Sequence, residues 1–198
     1  MKYFLITLFV LIITLVISQV VITKNTSDTG SIPYETLEVF DEFEIRQYPQ
    51  LVVASTQLDE NSYDENSSIG FRRIASYIFG GNSNNSQISM TSPVQMEMGR
   101  NSKMSFFMPP NMKLEDLPQP NSTQVVLNLQ PSKTYAVISF SGWASDEILK
   151  EKYEELKSLL IGKKIAFEAG FTYLGYNPPY KLINRKNEVV IELLDYKR

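Results

Sequence analysis

One order of elements, strands then a helix then strands, occurs twice along the chain and restricts the fold more than any other feature. In the first half, Glu35 to Tyr48 and Leu51 to Leu58 alternate apolar with polar residues or run through β-branched ones, as strands do. From Phe71 to Ile78, apolar residues follow the i, i+3, i+4, i+7 spacing of a helix. Ile88 to Met98 and Lys103 to Met108 then have the pattern of strands again.

The second half repeats this order. Gln124 to Leu129 and Tyr135 to Phe140 are predicted strands, Ser145 to Ile161 is a predicted helix, and Phe171 to Tyr176 and Glu188 to Leu194 are the closing strands. Two strand–helix–strand modules in tandem predict an α+β fold. We expect a distorted antiparallel β-barrel built from two pseudo-repeats, with the two helices packed outside it.

Both predicted helices have recognisable ends. Ser67 or Ser68 can cap the start of the first helix, and Gly80-Gly81 stops it. The second helix carries acidic residues in its first turn, where the helix dipole favours them, and Gly162 ends it.

An apolar run without charge, Tyr3 to Ile22, precedes the folded sequence. Twenty helical residues span the roughly 30 Å hydrocarbon core of a bilayer, so we expect a membrane helix in residues 1–23, either an uncleaved anchor or a removed signal peptide. Residues 24–33 are polar and predict a flexible tether, and residues 34–198 form the domain. Lys2 favours a single-pass protein with its domain on the non-cytoplasmic side, or a secreted or periplasmic domain after cleavage.

The chain has neither cysteine nor histidine among its 198 residues, which excludes disulfides, thiolate nucleophiles and imidazole ligands. Its net charge of −3 provides no basic face, so we expect no nucleic-acid partner. The sequence has no phosphate-binding Gly-Lys loop, no dinucleotide fingerprint and no zinc-protease motif, so no catalytic residue is predicted. A pair of carboxylates is the one remaining catalytic option.

Several segments, in a fixed order, carry a resemblance to a known family. They are EIRQY from Glu44, GFRRIASYIFGGN from Gly70, ISMTSPV from Ile88, YAVISFSG from Tyr135, YNPPY from Tyr176 and RKNEV from Arg185. Together they extend over essentially all of Tyr34 to Arg198, and they resemble the SOUL haem-binding family. The resemblance implies the distorted barrel with two helices that the patterns predict independently. The fold is also similar to the effector-binding domains of transcription regulators.

The resemblance further implies that haem or another porphyrin binds in a hydrophobic cleft beside the first helix, where basic side chains meet the propionates without an obligatory axial histidine. The implied site residues are Ala75, Tyr77, Ile78, Met90, Tyr176, Pro178, Pro179, Lys181 and Arg185. Lys181 matches a basic position suggested for propionate contact, whereas Ala75 replaces a contact residue with one that is neither basic nor sulfur-bearing. Iron would have only Met, Tyr, Lys or water as an axial ligand.

Each of these residues also has a purely structural interpretation. Met90 belongs to a set of methionines that could line an adaptable cleft, although ordinary strand packing explains them better. The Tyr176 to Tyr180 segment, stiffened by two prolines, is either a cleft wall or a turn between strands. Lys181 and Arg185 are either propionate partners or solvated surface charges.

The predicted function is therefore non-catalytic binding of haem or a related tetrapyrrole, as a carrier or buffer, with the membrane as a second partner through residues 3–22. An alternative is an interaction module at the membrane surface that binds another hydrophobic small molecule or a peptide. A minor alternative is a small-molecule sensor or hydrolase of the effector-binding-domain type.

Overall fold

The computed structural model of the chain describes residues 7–9, 13–14, 30–58, 62–99 and 101–196. Within them, nine strands form one antiparallel sheet accompanied by two long helices, which confirms the predicted α+β class. The strands are β1 Glu35–Val39, β2 Glu44–Tyr48, β3 Leu51–Gln57, β4 Val94–Met98, β5 Lys103–Phe107, β6 Val126–Gln130, β7 Lys133–Phe140, β8 Phe171–Gly175 and β9 Asn187–Glu192. The helices are α1 Tyr63–Ile78 and α2 Asp146–Gly162, and a 3-10 turn spans Leu114–Asp116.

The sheet curls strongly toward one of its faces. Its strand order is β1-β2-β7-β9-β8-β4-β5-β3-β6, so β4 and β6 are separated by two strands. In a flat sheet they would lie about 14 Å apart, at roughly 4.8 Å per strand. Gln130 Nε2 on β6 nevertheless lies 3.4 Å from Gln95 Oε1 on β4. The sheet is therefore a half-barrel, and we call the face with these glutamines the inner face and the opposite face the outer face.

Both helices pack against the outer face, which confirms that they lie outside the curled sheet. Residues alternate between the two faces along each strand, so Val189 and Ile191 of β9 point to the helices while Val190 points inward. The helices contribute an apolar stripe to the same core, formed by Ile74, Ala75, Tyr77 and Ile78 of α1 and by Leu149, Leu156 and Leu160 of α2.

The two helices begin side by side and cap each other. The Ser62 hydroxyl donates to Asp146 Oδ2 at 2.7 Å, and the Tyr63 N–H donates to Asp146 Oδ1 at 2.6 Å. In return, the Asp146 N–H donates to Asp64 Oδ2 at 3.2 Å. Each helix thus uses the first acidic residues of the other to satisfy N–H groups that have no partner within a helix.

The start of α1 differs from its predicted position. The helix begins at Tyr63, and its N-cap is Ser62 rather than Ser67 or Ser68. Ser62 accepts from the Glu65 N–H at 3.2 Å, in the Ser-x-x-Glu spacing that marks a helix start. This signal was present in the sequence, but the surrounding run of Asn and Ser resembles a loop. The start of α2 agrees with its prediction, because Ser145 caps it.

The predicted single-pass membrane localisation is corrected by the structure. None of the helices in the described residues is both long and apolar enough to cross a bilayer. The predicted membrane segment, residues 3–22, lies mostly outside the described residues, which include only residues 7–9 and 13–14 of it, as helical pieces. Cleavage of the segment and the tether residues 24–29 also fall outside the described residues, whereas Ile32 is described and buried.

A buried carboxylate, Glu188 on β9, organises the charges of the inner face. Arg46 Nη1 on β2 donates to Glu188 Oε1 at 3.0 Å, the Tyr176 hydroxyl donates to Oε2 at 2.6 Å, and Lys186 Nζ lies 3.0 Å from Oε1. Burial opposes ionisation of Glu188, but the Tyr176 hydroxyl and the two cations outweigh it, so its pKa lies below the usual value. The carboxylate therefore remains charged and ties β2 and β9 to the end of β8.

Replacing Asp146 by Asn is expected to lower the free energy of unfolding at neutral pH by about 1–2 kcal/mol, the range for an N-capping side chain. Partial burial favours the neutral Asp146 carboxyl, but hydrogen bonds from Ser62, Tyr63 and Asp64 outweigh it and hold its pKa below the ordinary 3.8. A lowered folded-state pKa contributes stability above the unfolded value and loses it as the pH falls through the folded pKa.

Urea denaturation of the wild type and Asp146→Asn should therefore show a stability gap at about pH 7 that narrows at about pH 3. Glu147→Gln is the matched control, because Glu147 is the exposed carboxylate next to Asp146 in the same helical turn. A gap of equal size at both pH values would contradict the capping role of the Asp146 carboxylate.

Replacing Arg46 by Met is expected to destabilise the protein by about 3–5 kcal/mol, because it leaves the fully buried Glu188 without its main cation. Lys133→Met is the matched control. Lys133 on β7 also pairs with a glutamate on a neighbouring strand, Glu192 on β9, but both side chains are partly exposed. That substitution should cost about 1 kcal/mol or less. Denaturant titration measures both losses, and similar values for the two variants would show that burial does not strengthen the Arg46 pair.

Candidate functional site

The residues predicted on the first helix lie in the outer core. Tyr77 and Ile78 are each 1% exposed and Ala75 is 9% exposed, so α1 presents these side chains to the sheet. The Tyr77 hydroxyl donates to the Pro118 carbonyl at 3.0 Å, and burial raises the pKa of Tyr77 to about 12. Met90 is half-buried and packs against the same core. In this conformation the four residues fill space between the helix and the sheet.

The predicted residues after β8 form a compact loop of their own. The Lys181 N–H donates to the Pro178 carbonyl at 3.1 Å. Arg185 Nη1 donates to the carbonyls of Pro178 at 2.9 Å and Lys181 at 2.7 Å. The Arg185 guanidinium is thus buried within the loop and holds its two ends together. Tyr176 stands at the entrance of the loop, where burial and the charge of Glu188 raise the pKa of its hydroxyl.

Trp143, which was not predicted as a site residue, packs against this loop. The Arg185 guanidinium lies 4.2 Å above the Trp143 ring, a cation–π contact. The turn before Trp143 is held by Asn187 Nδ2, which donates to the Gly142 carbonyl at 2.9 Å. Trp143 is the single tryptophan of the chain and follows a Ser-Gly turn, a signal that could have marked it. Its ring is 52% exposed, so one side of it remains available.

The predicted residues on α1 lie far from the predicted residues in the loop after β8. The Tyr63 ring, at the first residue of α1, packs edge-on against Tyr173 with centroids 5.0 Å apart. The Tyr173 hydroxyl donates to Asn187 Oδ1 at 2.8 Å, and Asn187 also holds the Gly142 carbonyl before Trp143, so the loop lies at this end of the helix. Ala75 lies twelve positions later, about 18 Å further along at 1.5 Å per residue. The structure therefore does not bring the helix residues and the loop residues into one cleft.

Beside the loop, large apolar side chains are exposed. They are Trp143, Tyr180, Leu182 and Ile183, which we call the Trp143 patch. Lys181 and Arg185 belong to the same loop and are buried, and the Arg185 guanidinium donates to the loop carbonyls. Among the described residues no salt bridge involves Lys181, although it is only 7% exposed. Exposed apolar surface thus lies beside a buried lysine that forms no ion pair with the acidic residues that the structure describes.

The chemistry of this patch suits a flat apolar molecule with a carboxylate at its edge. Apolar side chains can cover the face of a ring system, and a lysine ammonium can pair with an acidic substituent. No group of three or more acidic side chains within the described residues is arranged to hold a metal ion. A metal within the ligand would therefore depend on Met, Tyr, Lys or water, because the chain contains no histidine or cysteine.

Two solved structures have a similar fold. The C-terminal domain of EcmrR superposes with a TM-score of 0.58 over 82% of this chain and 99% of that domain, at 11% identity. A hydrolase from Listeria innocua superposes with a TM-score of 0.54 over 77% of this chain and 92% of the hydrolase, at 10% identity. At such identities the likeness concerns the fold alone, and it agrees with a curled sheet covered by two helices.

Sequence comparison identifies the family. Heme-binding protein 2 of Homo sapiens is 31% identical over 156 residues, which cover 74% of this chain and 76% of the human protein. Heme-binding protein 1 of Xenopus laevis is 28% identical over 157 residues, covering 74% of this chain and 81% of the frog protein. The sequence model of the family described as SOUL heme-binding protein matches residues 29–192, almost the whole described domain. The chain therefore belongs to the SOUL heme-binding protein family.

Proposed function

We propose that this protein binds haem or a related tetrapyrrole without catalysing a reaction on it, and that it acts as a carrier or buffer for that ligand. The observation that carries the proposal is the family match over residues 29–192, together with relatives whose names state haem binding. A carrier needs a reversible site rather than a buried one. The exposed Trp143 patch has the character of such a site, because a ligand can reach it without unfolding the core.

The proposed docking surface is the Trp143 patch. Pro178, Pro179, Lys181 and Arg185 of the predicted set belong to the loop that carries most of this patch. The macrocycle would lie against the exposed apolar side chains, and Lys181, which is 7% exposed, would turn outward to pair with a propionate at its edge. Arg185 would act indirectly, by holding the loop carbonyls and the Trp143 ring in position.

Ala75, Tyr77 and Ile78 of α1, and Met90 outside it, remain predictions as ligand contacts. In the described conformation they pack into the outer core, so a ligand would reach them only after α1 had moved away from the sheet. Burying the Tyr77 hydroxyl against Pro118 makes this movement costly, since the hydrogen bond would be lost with the packing. The exposed patch requires no such movement, which favours it as the first point of contact.

The protein would contribute little to the coordination of the iron in this arrangement. Haem supplies redox-active iron when it is bound, but the chain contains no histidine or cysteine to ligate it. Affinity would therefore rest on apolar contact with the ring and on charge pairing at its edge. This combination fits a protein that passes the ligand on, because neither interaction is slow to break.

Titrating haemin into the full chain is expected to produce a saturable Soret change with a dissociation constant of about 1 μM or lower. Trp143→Ala should weaken binding, because it removes the largest exposed ring of the patch. Tyr153→Ala, which removes a half-buried ring on α2, is the matched aromatic control. A signal that rises without saturating would count against a specific haem site and would favour a module that binds another hydrophobic ligand or a peptide.

Replacing Lys181 by Met or Glu is expected to weaken haemin binding by about 1–3 kcal/mol, a loss of roughly 5–150-fold in affinity. Lys181→Met keeps the buried stem of the side chain and removes only the charge, so the fold should be preserved. Lys150→Glu makes the same charge change as Lys181→Glu at an exposed position on α2. Unchanged affinity in both Lys181 variants, with unchanged thermal unfolding, would remove Lys181 from the site.

A further inference from the structure

One buried side chain on the inner face comes from outside the sheet. Ile32 precedes β1 and is 3% exposed. It packs in a cluster whose other buried members all belong to strands, namely Tyr48, Leu51, Val53, Phe107, Tyr135, Val137, Leu174 and Val190. Whereas two helices close the outer face, the strands leave a hollow on the inner face that Ile32 fills.

The segment that carries Ile32, residues 30–34, is held to the sheet by few main-chain contacts, and we call it the strap. The Ile32 N–H donates to the Ser92 carbonyl at 3.4 Å, and the Ser92 N–H donates to the Gly30 carbonyl at 3.2 Å. Both distances are at or beyond the long end of the range for such bonds. Ser31 and Pro33, on either side of Ile32, are exposed. The strap is thus attached mainly through one inserted side chain.

The last residue of the strap, Tyr34, makes ring contacts that another aromatic ring could make equally well. The Tyr34 ring lies 5.4 Å from the Tyr48 ring, and the Arg46 guanidinium lies 4.4 Å above Tyr34. Tyr34 remains 39% exposed, so solvent reaches it from the other side. A guanidinium next to a tyrosine accepts any flat aromatic face, because the cation–π attraction does not depend on the identity of the ring.

The hollow under the strap has an aromatic lining with a few polar groups. The space left beside Ile32 is about 10 Å³, room for a single water molecule. Rings of Tyr48, Phe107 and Tyr135 line it, and Gln95 and Gln130 place amide groups there. The Tyr48 hydroxyl is buried and has no hydrogen-bond partner among the described residues. A ligand that replaced Ile32 would therefore meet ring surfaces, two amides and one buried hydroxyl without a partner.

The charges on the inner face balance one another. They form the ion pairs Arg46 with Glu188 and Glu44, Lys186 with Glu188, Lys103 with Glu97, and Lys133 with Glu192. Four basic and four acidic side chains therefore leave no net charge to attract an ion. A charged ligand would have to break one of these pairs, whereas an uncharged ligand would not.

We infer that the inner face is a second ligand pocket, for a flat uncharged aromatic molecule, and that the strap closes this pocket by occupying it with Ile32. Binding releases the strap, and with it the hydrogen bonds of the Ser92 N–H and carbonyl. The pocket is separate from the Trp143 patch, so it goes beyond the proposed haem function and does not depend on it.

Binding of 2-naphthol to the full chain, measured by calorimetry, tests this pocket. Because the apparent affinity is reduced by the fraction of molecules in which the strap is closed, Ile32→Ala should bind 2-naphthol at least about tenfold more tightly than the wild type. Ile69→Ala, at an exposed isoleucine of α1, should leave the affinity unchanged. Equal affinities for the wild type and Ile32→Ala, or binding by neither, would overturn the inference.

A locked strap provides the second test and does not depend on the stability of Ile32→Ala. Ser31 and Ser92 face each other in a parallel bridge, and the chain has no cysteine of its own. Within one molecule, the double variant Ser31→Cys and Ser92→Cys can therefore form only this disulfide, and the monomer is separated by gel filtration before the measurement. The oxidised form should bind 2-naphthol at least about tenfold more weakly than the reduced form, and equal binding would overturn the inference. Haemin binding, read on the same samples, should not depend on the disulfide, which separates this result from the haem proposal.

Discussion

The buried ion pair between Arg46 and Glu188 is the interaction on which the rest of the inner face depends. The Glu188 side chain is completely buried, and removing a carboxylate from water is costly unless cations and hydroxyls replace the lost hydration. Arg46, Lys186 and the Tyr176 hydroxyl supply that replacement from three parts of the chain. Because Tyr176 is held in this way, the loop that follows it begins from a fixed position, and the Trp143 patch is built on that loop.

The two faces of the curled sheet are closed by different means, and this difference separates the two candidate ligand sites. The outer face is sealed by α1 and α2, which cap each other through Ser62 and Asp146 and share one apolar core. The inner face is filled by strand side chains and by Ile32 of the strap. The Trp143 patch is the exposed apolar surface beside the loop. The second candidate site is the space on the inner face that Ile32 of the strap fills. A macrocycle with acidic edges suits the first surface, whereas a small uncharged ring suits the second.

Much of the fold followed from local patterns. The second helix was predicted from Ser145 to Ile161 and is found at Asp146–Gly162, because its apolar stripe, its cap and its terminal glycine lie within a few residues of one another. The first helix was predicted too short, since its capping pair, Ser62 and Glu65, lies in a polar run that resembles a loop. The candidate site was predicted less well. Lys181 and Arg185 were selected as charges, but that Arg185 is committed to loop carbonyls depends on how the loop folds back.

Periodicity, caps and the ordered family segments were sufficient to establish an α+β domain of the SOUL family, because helices, strands and turns are specified by residues a few positions apart. The arrangement of the sites depended on contacts between distant parts of the chain. Arg46 and Glu188 are 142 positions apart and meet only because β2 and β9 both pair with β7. The bridge between Ser31 and Ser92 holds Ile32 against the inner face, and the length of α1 keeps Ala75 away from the Arg185 loop. Such encounters are determined by strand pairing and packing across the whole domain, which no short stretch of sequence encodes.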